Sequence, residues 1–133
     1  MLLTYVRQDD RRQITVTTGG DVNVTDVISV IDRQAAEGTW TYRVLYDERA
    51  STTALTLEEL RRIVDRVSVM SRRHGPRGPV AIVIGDAGNY SAGRVYEALA
   101  GSAKLSFRMF RDLDAAQAWL DESTNVAVPT TLT

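Results

Sequence analysis

From Gln13 onward the chain passes four times from a short segment that alternates apolar and polar residues, or is continuously apolar, to a longer one with apolar residues three and four apart. That alternation limits the fold more than any other feature. A connection long enough to hold a helix joins parallel neighbouring strands, right-handed in nearly all known folds, so an α/β domain with a largely parallel sheet is expected.

Leu3 to Arg7 and Gln13 to Thr18 both alternate, and Asp9, Asp10 and Arg11 between them suit a hairpin turn, which makes the first strand antiparallel to the second. Asn23 and Asp26 form a polar pair at a helix start, Val24, Val27, Ile28, Ile31 and Ala35 make one stripe, and Gly38 closes it. A third strand spans Tyr42 to Asp47. Thr56 and Glu59 have the spacing of a capping box, ahead of Leu57, Leu60, Ile63, Val64, Val67 and Met70 at helical spacing, up to His74-Gly75. A fourth strand runs from Val80 to Ile84, and a helix from Ser91 to Ala100 presents Val95, Tyr96 and Leu99 before Gly101. A fifth strand, Lys104 to Phe110, and a helix, Asp112 to Asp121 with Trp119 and Leu120 as core anchors, complete the set. Residues 122–133 show no periodicity and are read as a frayed tail, leaving residues 1–121 as one domain.

The strands also indicate how the layers stack. A parallel sheet covered on both faces reads as continuous apolar runs, and only Val80 to Ile84 does so. Tyr42, Val44 and Tyr46 alternate with Arg43, Leu45 and Asp47, and Leu105, Phe107 and Met109 with Ser106, Arg108 and Phe110. Four helices mainly on one face of a five-stranded mixed sheet, with the other face partly open, are expected.

Composition removes several function classes. With 133 residues, 44% of them hydrophobic and 25% charged, the chain has ordinary globular usage, and its formal net charge of −1 attracts neither nucleic acid nor an anionic membrane. No cysteine is present, so disulfides, thiolate metal sites and cysteine nucleophiles drop out, and a reducing, cytoplasmic setting is the default. His74 is the only imidazole, and one histidine without a carboxylate pattern makes no zinc site. The longest apolar run, Val80 to Ile84, is far too short for membrane insertion. No cofactor fingerprint is found.

This order of elements resembles the SpoIIAA-like fold, that of STAS domains in anti-sigma-factor antagonists and anion-transporter tails, shared with lipid-binding CRAL-TRIO-type domains. The chain is most similar to small bacterial STAS-like proteins in which a strand like Gly78-Pro-Val-Ala-Ile-Val-Ile84 precedes a helix like Ala92-Gly-Arg-Val-Tyr-Glu-Ala-Leu99, followed by a segment like Phe107 to Leu120. The resemblance covers Leu3 to Leu120. It implies a βα superhelix and a regulatory role. In the antagonists a serine in an Asp-Ser-Ser-Gly-like sequence is phosphorylated; here Asp47 to Thr56 stands in its place without the adjacent serine and glycine, so that switch is not carried over.

Ligands of open α/β sheets sit beyond the carboxyl ends of strands, near free helix N–H groups. Those positions are Asp47 to Thr56 and Gly85 to Ser91, and they nominate Asp47, Arg49, Ser51, Asp86, Asn89, Tyr90 and Arg94 as a ligand-binding set. Each has a plainer reading. Asn89 or Ser91 suits a helix cap. Ser51, Thr52 and Thr53 suit a polar loop, or phospho-acceptors beside Arg49. Asp47 and Asp86 are candidates for a carboxylate pair with separated pKa values. Arg61, Arg62, Arg66, Arg72, Arg73 and Arg77 suit a solvated helix face. No complete catalytic set emerges. The expectation is a non-catalytic regulatory or protein-interaction module, binding a protein partner or itself as a homodimer. The alternative is a module for a small anionic or lipid ligand.

Overall fold

The hairpin signal around Asp9 and Asp10 produces a turn closed by Arg11 N–H to Gln8 O and Arg12 N–H to Asp9 O, both 3.2 Å. It joins β1 (Leu2–Gln8) to β2 (Gln13–Gly20) as an antiparallel pair. The computed structural model describes residues 2–21, 23–52, 54–85 and 87–131, with the backbone only at 2, 87–90, 92 and 124–131. α1 (Val24–Glu37) opens at Asn23, whose side chain accepts from Thr25 N–H, and ends at Gly38 with φ of 75°, a left-handed conformation that favours glycine. β3 (Arg43–Ser51) follows, then α2 (Leu57–His74), where Thr56 and Glu59 cap one another reciprocally. β4 (Val80–Ile84), α3 (Ala87–Ser102), β5 (Phe107–Phe110) and α4 (Leu113–Thr131) complete the chain.

The strands lie in sequential order, β1 to β5, and every pair after the first is parallel. Sequential order explains the layering, since consecutive right-handed crossovers that advance in one direction all place their helices on the same side. α1, α2 and α3 cover the face built from Ile14, Val16, Val44, Tyr46, Val80 and Ile82. α4 is not a crossover and packs on the opposite face, where Ala116 and Leu120 meet Leu45, Ala81 and Val83. The expectation that all four helices shield one side is corrected to three. What stays open on the far face is the hairpin, with Thr4 and Thr17 exposed and Val6 50% exposed.

Four element ends differ from expectation by three residues or more, among them the start of β5, which pairs with β4 only from Phe107 and not from Lys104. β3 continues past Asp47 to Ser51, because β2 extends to Gly20 and supplies backbone partners. α3 begins at Ala87, so Asn89 and Ser91 lie inside its first turns and do not cap it. α4 continues beyond Asp121 to Thr131.

Candidate functional site

Strand alternation puts Val44, Tyr46 and Glu48 of β3 on the face beneath α1 to α3. The β2–β3 register then slips, from Thr17 opposite Asp47 to Gly19 opposite Ala50, which leaves one extra residue in β3. Such a bulge re-aims the side chains that follow it. Ser51 therefore turns inward as well, where it is buried and its hydroxyl lies 2.7 Å from that of Thr18.

Glu48 and Ser51 line a cavity of about 80 Å³ between the sheet and the three-helix layer, several times the space one water needs. Its walls are apolar: Val27 and Ile31 from α1, Leu60 and Ile63 from α2, Ile82 and Ile84 from β4, and Phe107 from β5. Tyr46, Tyr96 and Arg77 complete it, and the exposed Ala54 stands at its mouth. Gly93 brings α3 close to the sheet there; a methyl group at this position would lie 2.3 Å from Met109 Sδ and 3.4 Å from Ile84 Cδ1. Tyr96 and Phe107 meet edge to face, 4.5 Å between ring centroids.

The polar groups of the cavity are not alike. Arg77 is committed: its Nε and Nη2 donate to Gln34 Oε1 at 3.0 and 2.5 Å, and its Cζ lies 5.3 Å from the centre of the Trp40 ring. Burial pushes the Tyr46 and Tyr96 hydroxyls above their ordinary pKa. The Glu48 carboxyl makes no hydrogen bond or ion pair with any described residue; burial, reinforced by the neighbouring Asp47 charge, pushes it up to about 7.

The residues nominated from the sequence scatter around this centre. Ser51 lines the cavity, where it is buried. Asp47 projects from the other side of β3, where it accepts from Arg49 Nε at 2.9 Å and Nη2 at 2.8 Å. Those hydrogen bonds hold the Asp47 carboxyl below its usual range, so it stays ionised instead of cycling as an acid or base. Arg94 is exposed, 3.8 Å from Glu97, on a separate surface groove shared with Arg108 and Phe110. Thr52 is exposed and donates to Asp21 at 3.2 Å. Asp86 and Thr53 lie outside the described residues, as do the side chains of Asn89 and Tyr90. In the arginine group, Arg66 pairs with Asp32 at 2.7 Å, whereas Arg77 turns inward.

No family model matches the chain, and no curated protein matches it. Geometry must therefore carry the functional argument. Among the described residues no cluster of three or more histidine, aspartate or glutamate side chains is placed to hold a metal ion, and no helix is long and apolar enough to cross a membrane. The Ser51 hydroxyl lies against that of Thr18, a contact that itself activates neither group as a nucleophile. An apolar enclosure with a few convergent polar groups is what small-molecule binding requires.

Sequence reasoning missed Glu48, Tyr46 and Arg77. The signal for Glu48 was present: it continues the Val44, Tyr46 phase, and neither glycine nor proline interrupts the chain between Asp47 and Ser51. Arg77 sits between Pro76 and Gly78, which disguised it as part of a turn.

Proposed function

We propose that this protein is a non-catalytic binding module that holds a small amphipathic molecule between its sheet and the layer formed by α1, α2 and α3. One observation carries the reading: a cavity with apolar walls contains a half-buried carboxyl, Glu48, that no described residue satisfies. A buried polar group without a partner costs free energy, and a ligand that supplies one recovers it. The sequential sheet with an antiparallel first strand supports the STAS-like reading of the fold, and a cysteine-free chain suits the reducing cytoplasm in which we place it.

Native mass spectrometry of gently purified protein, alongside saturation-transfer NMR with a panel of small aromatic compounds, tests the reading. Wild-type protein should take up at least one member of the panel, and Ala54→Trp, which places a large ring at the mouth, should abolish uptake without unfolding the domain. Wild-type protein that takes up nothing, or equal uptake by the variant, contradicts it.

A regulatory role through protein contact has its own support in the hairpin. β1 is an edge strand with one unpaired side, and its outward face carries the exposed Val6 beside Thr4. If this surface drives self-association, light scattering after size exclusion should show a concentration-dependent dimer that Val6→Lys removes. A monomer at all concentrations argues against it.

A further inference from the structure

The chemistry around Glu48 specifies the ligand more closely, on the premise that the cavity is a binding site at all. Among the described residues, the lining contains one carboxyl and one guanidinium. The guanidinium does not neutralise the carboxyl, because Arg77 is held by Gln34 and stacked over Trp40. The charge that acts on Glu48 is that of Asp47, of the same sign and already paired with Arg49 on the other face of the strand. α1 and α2 bring only Val27, Ile31, Leu60 and Ile63, which can neither donate to the carboxylate nor balance it. The remaining side-chain donors among the described lining residues are the hydroxyls of Tyr46, Tyr96 and Ser51, and that of Ser51 already has Thr18.

An anionic ligand would add a second negative charge to a low-dielectric enclosure that cannot absorb the first. A neutral apolar ligand would fill the space and leave the carboxyl stripped of water without replacing what it lost. A protonated amine answers both problems, since its N–H groups can donate to Glu48 while the aromatic rings of Tyr46, Tyr96 and Phe107 surround its apolar body and can stabilise its charge.

We propose that the cavity takes a small organic cation, a primary amine on a compact aromatic or branched aliphatic body, with its ammonium group directed at the Glu48 carboxylate. The upward shift of the Glu48 carboxyl agrees with this, because a bound cation would favour the ionised form that the empty site disfavours. Among the described residues, the other titratable and charged groups near Glu48 are Asp47 and Tyr46 on its own strand, Tyr96 on α3 and Arg77 before β4.

Isothermal titration of wild-type protein at pH 8 with benzylamine, benzyl alcohol and benzoate, three probes of similar shape and different charge, tests the proposal. Benzylamine should bind about tenfold or more tightly than benzyl alcohol, as a charge-assisted hydrogen bond implies, and benzoate should not bind measurably. Glu48→Gln should bring amine and alcohol to within about twofold of each other, because the charge contribution is gone. Ala54→Trp should abolish amine binding, which separates the cavity from carboxylates elsewhere on the surface. If benzyl alcohol or benzoate matches the amine on wild-type protein, the cavity remains a binding site and the cation proposal falls. If none of the three binds, both fall. Amine binding that survives in Ala54→Trp or keeps its preference in Glu48→Gln overturns the proposal too, and the wild-type preference decides it even if Glu48→Gln fails to fold.

Discussion

At the scale of single residues, Glu48 places a pH-dependent load on the fold. Its carboxyl titrates near 7 in the folded chain against 4.5 in the unfolded one, so folding favours the protonated form. The contribution to stability is complete below about pH 4.5 and is lost as pH rises through 7, at a cost of up to about 3 kcal/mol. Glu48→Gln, neutral throughout, should therefore exceed the ligand-free wild-type protein by about 1–3 kcal/mol at pH 8 and match it near pH 4.5. Urea denaturation at the two pH values measures this; a difference that does not change with pH would show that Glu48 is not desolvated. Asp47, one residue away, behaves oppositely because Arg49 holds it ionised on the other face.

At the scale of elements, the helix starts rest on side chains that satisfy free backbone N–H groups. Thr56→Ala removes one half of the capping box and should cost about 1 kcal/mol. A different force holds α4. Leu120 is fully buried against Leu45, Ala81 and Val83, so Leu120→Ala should cost about 2–5 kcal/mol. The capping interactions are local, and this is why the bounds of α1 and the start of α2 could be read from Asn23, Gly38, Thr56 and Glu59. Strand ends are not local: β3 reaches Ser51 because Gly19 and Gly20 pair with Ala50 and Ser51, and although Glu48 keeps the phase of Val44 and Tyr46, the segment itself does not fix where the strand stops. The stripe ending in Trp119 and Leu120 was equally plain, yet a stripe does not say which face of a sheet it covers. The candidate site suffered more than the fold, since stopping β3 at Asp47 turned Glu48 into a loop residue and moved attention to the rim. Among the described residues, Ser51 alone was nominated in advance and lines the cavity.

At the scale of the whole molecule, sequential strand order gathers α1, α2 and α3 over one face while α4 covers β3 and β4 on the other and leaves the hairpin open. Three helices over one face must meet along seams, and the cavity lies between that helix layer and β3, β4 and β5, opposite the inward side of Glu48. The account's central claim is that this space is a ligand site and not merely a wet gap. Backbone amide shifts in ¹⁵N-labelled protein, recorded during titrations with benzylamine and with toluene, test it most directly. Saturable shifts centred on Glu48, Ser51, Leu55, Gly93 and Tyr96, with the β1–β2 hairpin unaffected, are predicted. Shifts scattered over the surface, or no saturable shift with either compound, would contradict it.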